Sequence, residues 1–233
     1  MSIKPILFTT EMVRAILYGT KTCTRRVVRY KYSNTEMKIK KDKYGARLIE
    51  IQKDENSNGS TYHKLLPFVE KEAPYQPGDI LYVRETWCKG SYGNEKEKYY
   101  YKADDNNFFC TWHPSIHMPK EAARIFLKVT NVRVERLQEV TGQGVLKEGL
   151  NSHVHPNASY FDMNQLEMFQ NLWNSTIKKS DLDRYGWDAN PWVWVIEFER
   201  CEKPPECIFK GYDKAPDDGS EKCLGYMYDN SDT

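Results

Sequence analysis

Four things are scarce in this 233-residue chain, and each scarcity removes a class of protein. No two of its six cysteines, Cys23, Cys88, Cys110, Cys201, Cys207 and Cys223, stand as Cys-x-x-Cys, which argues against a zinc ribbon or a dense disulfide framework. Reduced thiols and folding without metal are the expectation. Long apolar runs are missing: a stretch such as residues 192–196 is far too short to cross a bilayer or to serve as a secretion signal. A cytoplasmic location and no membrane partner are therefore expected. Excess charge of one sign is absent overall, the net being +1. No glycine-rich phosphate loop and no internal repeat is present either.

What is present is uneven. Residues 25–43 hold Arg25, Arg26, Arg29, Lys31, Lys38, Lys40, Lys41 and Lys43 against only Glu36 and Asp42, interleaved with Tyr30 and Tyr32. Such a run suits a phosphate backbone with bases stacked on rings, and it equally suits a solvated hairpin face.

The most informative segment is Gly19-Thr20-Lys21-Thr22-Cys23-Thr24-Arg25-Arg26. Upstream, Thr9 or Thr10 is placed to cap a helix in which Met12, Val13, Ile16 and Leu17 recur at helical spacing, and Gly19 is the expected left-handed stop. A strand follows over residues 24–30, so Lys21, Thr22 and Thr24 are expected on a turn at a pocket mouth. Further strands are read at 4–8, 80–86, 99–103 and 125–137, the last with its alternation slipping near Thr130-Asn131 as at a bulge. The final strand reads Trp192, Trp194, Ile196 and Phe198 on one face and Val193, Val195, Glu197 and Glu199 on the other. A short helix is expected at 141–150 and an amphipathic one through Leu166, Phe169, Leu172, Trp173 and Ile177. Residues 33–72 read as an insertion around a polar loop, and residues 201–233 as an irregular tail after a domain of residues 1–200. The expected class is α+β, a small, mostly antiparallel β-barrel decorated by helices.

Gly-x-Lys-Thr-x-Thr-Arg at 19–25, followed by Gly78-Asp79-Ile80-Leu81-Tyr82-Val83-Arg84-Glu85, resembles the ASCH domain family, whose fold is PUA-like. A phage and prophage branch shares the opening Lys4-Pro5-Ile6-Leu7-Phe8 and the segments Val83-Arg84-Glu85-Thr86-Trp87, Ser115-Ile116-His117-Met118-Pro119 and Trp187-Asp188-Ala189-Asn190-Pro191-Trp192-Val193. The resemblance extends to small ASCH amidohydrolases that deacetylate N4-acetylcytidine with a lysine, a threonine and a glutamate. It implies Lys21, Thr24 and Glu148 as catalytic residues. No cofactor or metal is implied. Gly142 and Gly144 depart from the family pattern in the helix before Glu148.

The chemistry of such a trio is coherent by itself. Threonine needs a base to become a nucleophile, and lysine serves when burial or a cationic neighbour such as Arg25 or Arg26 favours its neutral form. Glu148 would then protonate the leaving amine or polarise water, and backbone amides or a cation such as Arg84 would stabilise the oxyanion. Arg84, Glu85, Trp87, Trp112, Ser115 and His117 are the remaining candidates for substrate contacts, with the rings of Trp112 and His117 on a proline-stiffened loop for stacking. Two functions fit: a hydrolase of a modified nucleoside, nucleotide or RNA base, or a non-catalytic phage-derived module that binds RNA or a nucleotide to blunt host defence.

Overall fold

The computed structural model describes residues 2–29, 73–91, 96–104, 110–151, 153, 155 and 157–205, and the backbone of strands at 35–42, 45–53 and 61–65. Helix α1 (Thr10–Leu17) starts where Thr9 accepts a hydrogen bond from the Met12 amide. It ends where Gly19 turns left-handed at φ 75°. Strand β1 (Ile3–Leu7) precedes it and β2 (Cys23–Val27) follows.

The central sheet is completed by β6 (Ile80–Arg84), β9 (Phe126–Arg136) and β10 (Trp192–Cys201), in the order β1-β6-β9-β10-β2. Only β1 and β6 run parallel; the other pairings are antiparallel. The register of β9 against β10 passes from Asn131 opposite Glu197 to Val129 opposite Phe198, so Thr130 is the extra residue of a bulge.

Alternation on β10 gives the sheet two cores. Trp194, Ile196 and Phe198 join Val13 and Ile16 of α1 with Leu81, Val83 and Leu127 on one face. Val193 and Val195 join Leu137, Val145, Phe169 and Trp173 on the other. The second core is roofed by helices α2 (Gly142–Lys147) and α3 (Phe161–Thr176), with a single turn α4 (Leu182–Tyr185) beyond them. Each fully buried Leu, Ile or Val in these layers contributes about 1.5–3 kcal/mol.

The fold is α+β with a mostly antiparallel sheet. The expected closed barrel does not form: among the described residues no ladder joins edge strand β1 to edge strand β2. One side chain spans the two edges instead, with Arg26 donating to the Leu7 carbonyl at 2.8 Å.

Strands β3 (Thr35–Asp42), β4 (Gly45–Lys53) and β5 (Thr61–Leu65) make a separate antiparallel sheet within the segment read as an insertion. The side chains of the basic run beyond Arg29 lie outside the described residues. Strand β7 (Trp87–Gly90) pairs with β8 (Lys98–Tyr101), so the run expected over 80–86 breaks at Glu85-Thr86.

Cys88 of β7 is disulfide-bonded to Cys110, which corrects the expectation of reduced thiols throughout. Two structures side by side explain it: Trp87 and His113 form a β-bridge, and this brings residue 110 alongside β7. Cys23 and Cys201 are free. The chain divides into two compact units, Met1–Glu202 and Lys203–Thr233; apart from residues 203–205 the second lies outside the described residues. No described helix is long and apolar enough to cross a membrane.

Candidate functional site

Residues 20–22 are pinned before β2 begins. Thr20 and Lys21 donate their amides to the Ala15 carbonyl, Thr22 donates to the Lys147 carbonyl, and Lys21 bridges to Glu148. Thr141 caps α2 through the Gly144 amide at 3.1 Å, and the helix stops at Glu148 because Gly149 takes φ +85°. Any Cβ on Gly149 would stand 2.7 Å from the Ala15 Cβ and 2.9 Å from the Lys21 Cβ, so this close approach requires glycine. Gly142 has a similar reason. A Cβ there would stand 2.1 Å from an Asp162 oxygen, while its amide donates to that carboxylate at 2.9 Å. Gly142, which weakens the helix in isolation, lets α2 approach α3, and Gly149 beyond the helix end lets the chain approach α1.

This packing sets Glu148 on Lys21 across 127 residues of sequence. The Lys21 ammonium donates to Glu148 Oε2 at 2.8 Å, to the Glu148 carbonyl at 2.9 Å and to the Cys23 carbonyl at 2.7 Å. Arg25 Nη1 donates to Glu148 Oε1 at 3.0 Å. Lys21, Cys23 and Arg25 alternate along one face, and the ion pairs continue through Arg25 to Glu135 at 3.6 Å, Glu135 to Arg133, and Arg133 to Glu197 at 2.7 Å. The chain of charges alternates in sign from buried Lys21 to Glu197. Arg25 Nε is buried without a hydrogen-bond partner.

Burial first, then the Glu148 carboxylate, pushes the Cys23 thiol up to about 12, against the opposing pull of Arg25 and Lys21, which disfavours its thiolate. Lys21 is 3%, Thr24 4% and Glu148 5% exposed, so all three are buried.

Thr24 stands on the other face of β2. It pairs with Ile196 of the first core, whereas Arg25 pairs with Val195 of the second. The two faces meet at Lys21, whose ammonium is bonded to the carbonyl immediately before Thr24 and lies 5.5 Å from the Phe8 ring centroid. No hydrogen bond to the Thr24 hydroxyl is found among the described residues. Arg26 shares the Thr24 face, its guanidinium 5.5 Å from the same Phe8 ring. Of the two arginines expected beside the lysine, Arg25 therefore belongs to the glutamate side and Arg26 to the threonine side.

The remaining predicted residues gather elsewhere. Arg84 and Glu85 do not pair with each other. Arg84 donates to the carbonyls of Met118, at 3.1 Å, and Ile116. Glu85, 1% exposed, takes a two-pronged ion pair from Arg124 at 2.9 and 3.0 Å. Arg124 also reaches Asp104 and lies 3.9 Å from the Tyr101 ring centroid. Burial pushes the Glu85 carboxyl above its ordinary range despite Arg124. Trp87 stacks near His113 at 5.0 Å and Tyr99 at 5.7 Å. Ser115 and His117 sit in a short 3₁₀ turn, His117 exposed, with Trp112 half-buried before it. No side-chain hydrogen bond or ion pair joins this group to the Lys21–Glu148 cluster among the described residues.

Glu135, Arg133, Glu197 and Phe8 were not singled out from sequence. The spacing of Arg133 and Glu135 at i and i+2 on a strand was the available signal for one shared face. Among the described residues no group of His, Cys, Asp and Glu is placed to hold a metal ion. Compared with known proteins, the chain matches no family model, no curated protein and no solved structure.

Proposed function

We propose that the protein is an ASCH-type module with a PUA-like core that acts on a modified nucleoside, nucleotide or RNA base, hydrolysing the amide of an N4-acylated cytidine. The observation that carries this reading is the meeting of buried Lys21 and Glu148, with the Lys21 ammonium bonded to the carbonyl immediately before Thr24. A proton passing from the Lys21 ammonium to the Glu148 carboxylate leaves a neutral amine and a carboxylic acid. The amine then takes the Thr24 proton as the threonine oxygen bonds to the acyl carbon. Glu148 returns its proton to the leaving N4 nitrogen as the carbon–nitrogen bond breaks, and water releases the acyl group from Thr24.

A second reading, a non-catalytic module that binds RNA or a nucleotide, is favoured by one fact. Every proton of the Lys21 ammonium is already given to an acceptor, as in a structural charge.

The test is release of carboxylate from a panel of N4-acylated cytidines and cytidine nucleotides. The hydrolase reading expects turnover that is lost in Lys21→Gln and in Thr24→Ala, with no further loss in the double variant, since the two act as one unit. An inactive parent protein that retains the acylated compound intact overturns it in favour of binding.

A further inference from the structure

Glu148 meets a cation at each carboxylate oxygen. Lys21 donates to Oε2 and, from the same ammonium, to the Glu148 carbonyl, while Arg25 Nη1 donates to Oε1 at 3.0 Å. Arg25 is itself held from sides that do not involve Glu148. Its guanidinium lies 5.9 Å from the Phe169 ring centroid, and its Nη2 stands 3.6 Å from Glu135, which in turn accepts from Arg133. On the α2 side the packing is close enough that a Cβ on Gly144 would stand 3.4 Å from that same Nη2. The Arg25 side chain is 4% exposed.

We propose that Arg25 is a positioning residue for Glu148 and not a substrate contact: its fork spans Glu148 and Glu135 and fixes the Glu148 carboxylate against the Lys21 ammonium. This deepens the reading above and rests on it for the reaction. Side-chain alternation separates Arg25 from the reacting hydroxyl, because Thr24 pairs with Ile196 of the first core and Arg25 with Val195 of the second. A compound whose acyl carbon meets the Thr24 oxygen lies on the face away from Arg25, which reaches the reaction only through Glu148. The task needs an arginine. Two nitrogens of one planar group address two carboxylates, whereas an ammonium is a single point of charge. Such support matters because a displacement of about 1 Å at a reacting group costs about a hundredfold in rate.

The experiment follows two quantities in the full chain and in Arg25→Gln, Arg25→Lys and Glu135→Gln: proton exchange of the Lys21 ammonium, by NMR of labelled lysine side chains, and turnover of N4-acetylcytidine. In Arg25→Gln the ammonium should exchange at least about tenfold faster than in the parent, while the backbone amides of β10 stay protected. On the same preparation kcat should fall about a hundredfold with KM within about twofold of the parent. Arg25→Lys, which keeps the charge but cannot span both carboxylates, should fall between the two. Where Arg25→Gln does not fold, Arg25→Lys and Glu135→Gln carry the test, the latter at a side chain 23% exposed. Unchanged ammonium exchange in the variants overturns the positioning role, whether or not the parent is active. A loss carried by KM alone makes Arg25 a substrate contact and overturns it as well. Faster exchange in variants of a parent that hydrolyses nothing supports the positioning of Glu148 and overturns the hydrolase reading.

Discussion

Two buried glutamates organise this molecule, and they differ in what surrounds them. Glu85 belongs to a closed set: Arg124 grips both of its oxygens, Asp104 takes the rest of Arg124, and Tyr101 covers the guanidinium. All four residues lie within 85–124, and their neighbour Arg84 holds the turn at 115–118. Glu148 belongs to a set assembled from α2, β2 and β9, in which Arg25 Nε is buried with no hydrogen-bond partner among the described residues. Each set borders one buried nitrogen without a hydrogen-bond partner among the described residues, Trp87 Nε1 beside the first and Arg25 Nε in the second, so the difference lies in reach: the first is gathered from nearby sequence and the second from distant elements.

The largest effect expected from this contrast is on stability. Glu148→Ala leaves the Lys21 ammonium without its carboxylate in a site 2% exposed, and Arg25 with only the longer contact to Glu135. Loss of one partner of a buried pair is destabilising by about 3–5 kcal/mol. Glu85→Ala leaves Arg124, 27% exposed, with Asp104 as its partner, and should destabilise by about 1–3 kcal/mol. Urea unfolding of both variants checks the order. A Glu85→Ala loss equal to or above that of Glu148→Ala breaks the comparison.

A smaller effect concerns pH. Because burial raises the folded-state value of Glu85, the folded protein holds that proton more tightly than the unfolded chain. The associated stability is present below the ordinary glutamate value of 4.5 and is lost as pH rises through the folded value. In Glu85→Gln this decline should disappear from the pH profile of the melting temperature. A parent profile that instead rises with pH through 4.5, with that rise lost in Glu85→Gln, would show that Arg124 outweighs burial at Glu85.

Much of this architecture was legible in the sequence, for local reasons. The Thr9 cap, the Gly19 stop, the bulge at Thr130 and the two faces of β10 each follow from residue type and a period of 3.6 or 2. The Lys21–Glu148 encounter was reached through resemblance, since nothing local relates positions 127 apart. The chain of charges through Glu135, Arg133 and Glu197 depends on the register of three strands, and the Cys88–Cys110 bond on the packing of β7 beside residues 110–113. Neither has a sequence period. The roles of Gly142 and Gly149 were likewise hidden, because their cost to the helix is local and the contact each permits is not.

The smallest effect on stability, and the sharpest separation of structure from chemistry, is expected at Thr24. Valine keeps the branched shape that β2 favours and faces Ile196 and the apolar layer beyond it. The hydroxyl it removes has no hydrogen bond among the described residues, so none is broken there. Thr24→Val should therefore unfold within about 1 kcal/mol of the parent. Under the hydrolase reading the same substitution removes the nucleophile and with it all turnover. The measurement is a paired one, urea unfolding and carboxylate release on a single preparation. A loss of more than about 1 kcal/mol would mean that the hydroxyl anchors the sheet.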